Sequence, residues 1–159
     1  MADLLVKLYD LQFTDIYPDN LKENGIEIRR SLVPEKLLVS AWVNKTFGAA
    51  WASECEVSFA QQPVSCFVAI KSGQLLGFSC YNATFKGFLG PIGVEPKYRF
   101  IGIGKVLLLS CLKAMAYQGY AYAIIGSIGA KDFFDQSITT FEIPDSSPGA
   151  YKGILKYHD

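Results

Sequence analysis

Between Val94 and Lys105 the chain reads Val-Glu-Pro-Lys-Tyr-Arg-Phe-Ile-Gly-Ile-Gly-Lys. An apolar, strand-like run leads into this segment. The long apolar run Val106 to Gln118 leads out of it as a helix. A strand end is thus joined to a helix start by a glycine turn. The first four N–H groups of a helix lack an intrahelical acceptor, and the helix dipole adds partial positive charge at the same end. Glycines there admit unusual backbone angles and leave the main chain bare. Arg99 and Lys105 add full positive charges. The stretch Arg99, Phe100, Ile101, Gly102, Ile103, Gly104 and Lys105 therefore predicts a cradle for a diphosphate.

Two other phosphate loops are excluded. A P-loop needs a Gly separated by four residues from Gly-Lys, and Ser or Thr after it. Here Arg99 holds that first position and Val106 follows Lys105. The dinucleotide fingerprint needs a third Gly within a βαβ unit, but Leu107 holds that place and the preceding strands read as antiparallel. The segment is similar to motif A of the GNAT acetyltransferases, V-x-P-x-Y-R-x-x-G-x-G-K. The resemblance extends in layout over residues 26–158 and is most specific from Val94 to Leu109. It implies an α/β fold with a mixed central sheet flanked by helices. It also implies acetyl-coenzyme A as cosubstrate and transfer of acetyl to a primary amine of an unidentified small-molecule or peptide acceptor. The alternative is a GNAT-like module that binds acyl-coenzyme A without efficient catalysis.

At 159 residues, half of them apolar, the chain suits one domain with a sizeable core. Its 15 basic and 15 acidic residues cancel, so no basic field invites nucleic acid or an anionic membrane. No apolar run reaches the length of a membrane span, and the first residues make a poor signal peptide. Cys55, Cys66, Cys80 and Cys111 are irregularly spaced and read as reduced core thiols of a cytoplasmic protein, with no metal assigned. The single histidine, His158, stands at the chain end and excludes a histidine-built zinc site or a Ser-His-Asp triad.

Residues 1–25 read as an arm packing on the domain or on a second subunit, as in a homodimer. Leu4, Leu5, Leu8 and Leu11 fit a helix, whereas Leu4, Val6 and Leu8 fit a strand. From residue 26 onward the pattern predicts a strand at 26–30, then a helix from Pro34 to Phe47 ended by Gly48. A second helix over 51–61 carries Ser53 and Glu56 as a capping box. Strands follow at 64–70 and 75–83 around a Ser72-Gly73 turn. A strand at 85–94 is interrupted by Gly87, Gly90, Pro91 and Gly93, which suggests a bulge or splay. The main helix is expected at 102–118, a strand parallel to its predecessor at 120–126, and a short helix at 130–136. Residues 138–143 and 151–156 read as a closing hairpin.

The resemblance implies direct attack of the amine on the thioester. Binding must hold the two together, donors must meet the developing oxyanion, and the ammonium must lose a proton. In the family, the splayed strand before motif A presents free amides. Here these belong to Ile92, Gly93 and Val94, with the carbonyl donor at Val94 or a near neighbour. The strand carries no carboxylate. Glu54 and Glu56 on the second helix are the better-placed bases, Glu54 being preferred because the capping box engages Glu56; a water chain would also serve. Phe134 stands where many members have a Tyr that faces the coenzyme sulfur, so the usual acid is absent; Tyr122, Tyr151 and water are unranked substitutes. Ser127 is a candidate partner of the pantetheine arm. Phe47, Trp51 and Phe59 are either an aromatic wall of the acceptor site or core.

Overall fold

The computed structural model describes residues 1–126 and 129–156. Its strands are β1 (Leu4–Lys7), β2 (Ile26–Arg30), β3 (Cys66–Lys71), β4 (Gln74–Tyr81), β5 (Phe88–Val94), β6 (Tyr122–Ile125) and β7 (Phe141–Glu142). Its helices are α1 (Asp19–Glu23), α2 (Lys36–Phe47), α3 (Ala49–Ser58), α4 (Ile103–Tyr117) and α5 (Lys131–Ser137). One mixed sheet runs in the order β2-β3-β4-β5-β6-β1-β7. Every neighbouring pair is antiparallel except β5 and β6, which α4 joins as a crossover.

Alternation along β4 sorts the two faces. Phe78 and Cys80 join Val39, Val43, Ala52 and Cys55 beneath α2 and α3. Ser79 points the other way and donates to the Leu107 carbonyl of α4 at 3.1 Å. Gly77 lets α4 sit low on the sheet: a β-carbon there would lie 3.1 Å from Leu107 and 3.0 Å from the Gly93 carbonyl. Because Ile103, Val106, Leu107, Leu108, Cys111, Leu112, Ala114 and Met115 are all buried, the helix is packed around most of its circumference.

Of the two placements open to residues 1–25, the structure shows packing on the domain. Strand alternation prevails, and β1 lies inside the sheet, pairing with β6 from Leu4↔Ile125 to Lys7↔Tyr122 and with β7 at Leu5↔Phe141. Leu4, Val6 and Leu8 are buried in the same cluster as Leu108 and Leu112. Leu21 of α1 is buried with Ile26, Val94 and Ile103. This placement also explains why the expected closing hairpin does not form. β1 takes the place beside β7 and β6, and Tyr151–Gly153 turns, with Gly153 at φ 77°. The short helix after Gly48 begins at Ala49, two residues before the expected start. Ser53 is therefore internal and donates back to the Ala49 carbonyl at 3.0 Å, so the expected Ser53–Glu56 capping box is absent.

Candidate active site

β5 and β6 pair only where β5 begins and β6 ends, Phe88↔Ile124 and Leu89↔Ile125. β5 then continues alone on that side to Val94. At Gly90, φ is 126°, and the register against β4 shifts between Ser79 and Tyr81. The glycines and Pro91 thus produce the bulge that the sequence suggests. From Ile92 onward the ladder with β4 is regular: Ser79↔Ile92, Phe78↔Gly93 and Gly77↔Val94. The Glu95 N–H donates to the Leu76 carbonyl at 2.8 Å. In an antiparallel pair, successive residues direct their backbone groups to alternate sides. The Gly93 and Glu95 amides therefore face β4, while those of Ile92 and Val94 face the fork left by the end of β6. Arg99 closes back on the same edge, its Nε donating to the Val94 carbonyl at 3.0 Å.

The turn expected to cradle a diphosphate comes next in the chain. Gly102 is the N-cap of α4 at φ 101°, ψ 0°, and a β-carbon there would meet nothing within 4 Å. The first intrahelical bond runs from the Val106 N–H to the Gly102 carbonyl at 3.2 Å. The N–H groups of Ile103, Gly104 and Lys105 precede that bond and have no helical acceptor. This bare, left-handed corner fits a diphosphate. Phe100, also at positive φ (69°), exposes its whole side chain, and Lys105 is exposed. The Ile103 side chain is buried in the core, so this residue offers its amide alone. Asn20 of α1 was not foreseen: its Nδ2 donates to the Ile101 carbonyl at 3.1 Å and ties the N-terminal segment to the turn.

The second glycine of the motif does different work from the first. A β-carbon on Gly104 would lie 3.1 Å from the Phe133 ring and 3.6 Å from Val94. Gly104 is bare because α5 packs against it. Phe133, not Phe134, is thus the α5 ring beside the start of α4. Phe134 is buried in the core with Leu108 and Ile138, with its ring 5.0 Å from that of Phe133. The expectation that Phe134 faces the coenzyme gives way to core packing, because an apolar ring gains by burial what a tyrosine hydroxyl would lose. Ser127 lies outside the described residues.

Three segments converge on Glu54 of α3. Tyr151, from the loop after β7, donates its hydroxyl to Glu54 Oε1 at 2.9 Å. Thr84, between β4 and β5, donates its hydroxyl to the same oxygen. Oε2 receives no hydrogen bond from the described residues. The Tyr151 ring lies at the point where the fork opens: a β-carbon on Gly126, just past β6, would sit 3.1 Å from Tyr151 and 3.0 Å from Phe88. Burial first, and the nearby Glu54 charge, push the Tyr151 phenol up to about 12, although its Thr84 contact opposes them. Tyr151 therefore remains a proton donor across the working range of an amine. Thr84 carried no signal in the sequence, because its role depends on the path of the β4–β5 loop.

The aromatic trio divides. Phe59 is core. Phe47 points the far edge of its ring at Gly93, where a β-carbon would approach Cζ to 2.5 Å. Trp51 stacks at 5.0 Å on Phe47, and Trp42 meets Phe47 edge-on at 5.7 Å. Phe47 and Trp51 thus roof β5 on the α2–α3 side.

The family model described as Acetyltransferase (GNAT) family matches residues 36–136. No curated protein matches the chain. Among solved structures, the chain is similar to the glucosamine N-acetyltransferase region of a fungal multi-domain β-N-acetylglucosaminidase. The TM-score is 0.71 at 15% identity, over 89% of this chain and 20% of that one. It is also similar to YhbS, a GNAT family N-acetyltransferase from Escherichia coli in complex with CoA (TM-score 0.52, 18% identity, 70% of this chain and 67% of that one). A Drosophila melanogaster polyamine N-acetyltransferase that forms N-acetylagmatine gives TM-score 0.57 at 12% identity, over 70% of this chain and 80% of that one. The chain thus spans a fifth of the fungal protein, and at these identities the likeness is one of fold. With the family model covering most of the chain, the chain belongs to the GNAT acetyltransferase family.

Proposed function

We propose that this domain transfers an acetyl group from acetyl-coenzyme A to a primary amine, with Glu54 receiving the amine. The observation that carries this reading is the fork between β5 and β6. β5 runs on past the end of β6 to the amides of Ile92 and Val94 and the turn into α4, and Tyr151, which adjoins Gly126 at the end of β6, holds the Glu54 carboxylate. Arg99, Gly102 and the amides of Ile103, Gly104 and Lys105 would hold the diphosphate, supported by Phe100 and Ile101 in the turn. The coenzyme would supply an acetyl thioester, whose thiol is already a fair leaving group with a pKa of about 8.5. The amides of Ile92 and Val94 offer donors for an oxygen that gains charge, and fixed donors of this kind need no reorganisation as the charge develops. Glu54 Oε1 is occupied by Tyr151 and Thr84, which leaves Oε2 to accept a proton from the amine. Tyr151, fixed beside that carboxylate, holds its orientation.

A rival reading, a module that holds an acyl-coenzyme A without transferring it, draws support from Phe134, which cannot protonate a leaving thiolate and is buried in the core. The test is calorimetric titration of coenzyme A, followed by thioester consumption with a panel of primary amines. Binding with amine-dependent consumption supports transfer. Binding without consumption by any amine supports the rival, and no binding overturns both.

A further inference from the structure

Three thiols far apart in sequence meet under α3. Cys66 and Cys80 are register partners on β3 and β4, and Cys55 reaches them from the helix. Their Sγ atoms all lie within 4.8 Å of one another, and each residue is 0% exposed. Register brings the strand pair close. The Tyr81 N–H donates to the Ser65 carbonyl at 3.0 Å, so that pair is hydrogen-bonded. The next pair, Cys66 and Cys80, is then of the non-hydrogen-bonded kind, in which opposite side chains lie nearest.

Two hydroxyls adjoin the sulfurs. Ser58 Oγ lies 3.7 Å from Cys80 Sγ. Ser31 follows β2, donates its N–H to the Cys66 carbonyl at 2.8 Å, and is 3% exposed. Its Oγ is buried without a hydrogen-bond partner among the described residues. An orphaned buried hydroxyl is uncommon and asks for a physical reason. A neutral thiol sulfur is a weak acceptor, whereas a thiolate is a strong one. The Ser31 side chain lies beside Cys66. A metal-bound thiolate at Cys66 would supply the acceptor that Ser31 lacks.

We infer that Cys55, Cys66 and Cys80 form a three-sulfur site for a soft monovalent d10 cation, Cu(I), with Ser31 bonding the Cys66 sulfur from outside the coordination shell. Structural zinc asks for four nitrogen or sulfur ligands. This cluster offers three sulfurs, and the flanking oxygens are hydroxyls. Soft thiolates favour Cu(I), for which three sulfurs suffice. A trigonal site with metal–sulfur bonds of about 2.3 Å sets its sulfurs roughly 4.0 Å apart, so a small contraction completes it. Each thiol that ligates as thiolate releases its proton to solvent. Since the cluster is closed to water, the metal enters while α3 is lifted or as the chain folds.

The test uses the full chain, isolated from copper-supplemented cells and also titrated anaerobically with Cu(I) against a chromogenic Cu(I) chelator. One copper per chain is expected, with a near-ultraviolet sulfur-to-copper band and a raised Tm. Cys66→Ser and Cys80→Ser should lower retention more than tenfold. Cys111→Ser should leave it unchanged, because that thiol bonds Ser79 at 3.1 Å on the opposite face of β4. Ser31→Ala separates metal binding from packing. Removal of the orphaned hydroxyl should leave the apo Tm unchanged or higher, yet lower Cu(I) affinity about tenfold. If the cysteine variants fail to fold, Ser31→Ala decides. The inference is overturned if the chelator strips wild type as readily as Cys66→Ser, if Ser31→Ala binds Cu(I) as wild type does, or if one equivalent of Zn(II) binds in preference to Cu(I).

Discussion

Tyr151 donates its hydroxyl to Glu54 at 2.9 Å across 97 residues of chain. The contact locks the loop after β7 onto α3 beside the point where β5 and β6 separate. It gives a carboxylate on a helix flank a fixed orientation, with one oxygen engaged and the other without a hydrogen bond from the described residues.

Glu54→Gln tests the proton acceptor. The amide preserves shape and most packing but cannot take a proton. The acetylation rate should fall about 10²–10⁴-fold near neutral pH, the usual contribution of a positioned base. It should recover partly at high pH, where the amine deprotonates itself, while calorimetric affinity for coenzyme A stays unchanged. A pH–rate profile that overlays the parent would remove Glu54 from the mechanism and leave water as the base.

Tyr151→Phe tests positioning. The ring against Phe88 and Gly126 is kept, and the hydroxyl is lost. Thr84 still holds Glu54 Oε1, so the expected loss is smaller, about tenfold in kcat, with KM for acetyl-coenzyme A unchanged. Hydrogen bonds to charged groups are typically worth about 1.5–3 kcal/mol. An equal loss in Tyr151→Phe and Glu54→Gln would instead identify Tyr151 as an obligatory proton donor.

Much of this architecture was legible in the sequence because it rests on local rules. The glycine turn into α4, the Ser72-Gly73 hairpin and the broken β5 each follow from backbone geometry at named residues. The placement of β1 did not, because its four residues carry both helical and strand periods and its partners lie more than a hundred residues away. Gly104 shows a second limit. A glycine spared for a ligand and one spared for a neighbouring ring look alike until Phe133 is in place. The Glu54 set was partly visible: the carboxylate follows from elimination, but Thr84 and Tyr151 come from loops whose paths no periodicity encodes.

Asn20→Ala tests the tie between the N-terminal segment and the diphosphate turn. The lost bond to the Ile101 carbonyl is exposed, so stability should hardly change. The turn should lose its fixed shape, and coenzyme A affinity should fall about 2–12-fold, the equivalent of one net hydrogen bond of 0.5–1.5 kcal/mol. Unchanged affinity would show that the turn is shaped by Gly102 and Arg99 alone.

Acid should find one defined weak point at the start of α2. Arg29 donates to both Glu35 oxygens, at 2.9 and 2.7 Å. That pairing holds the Glu35 carboxyl below its ordinary value of 4.5, against the effect of partial burial. A depressed folded-state pKa contributes stability that is present above the unfolded value and lost as pH falls through the folded one. Tm should therefore decline below about pH 4.5 more steeply in the parent than in Glu35→Gln. Near neutrality the variant should melt about 1–3 °C lower, as suits a partly exposed pair. Parallel acid limbs in the two proteins would assign the acid sensitivity to other carboxylates.

Gly93→Ala addresses the roof over β5. The new methyl would begin 2.5 Å from Phe47, whose ring is held by Trp42, Trp51 and the buried Phe78. Four aromatic rings cannot all shift at little cost, so overpacking should destabilise the domain by about 1–3 kcal/mol. For a chain of this size that lowers Tm by roughly 2–4 °C per kcal/mol. Phe47→Leu alone should also destabilise, through lost packing. The double variant separates clash from cavity, because the smaller side chain makes room for the methyl. It should be more stable than the sum of the single losses by at least about 0.5 kcal/mol, the range seen for residues in contact. Additive losses would mean that Phe47 does not lie against Gly93 in solution. The same variants should alter the choice among amines more than the affinity for coenzyme A, since Phe47 covers β5 on the face that carries Glu54, opposite to α4.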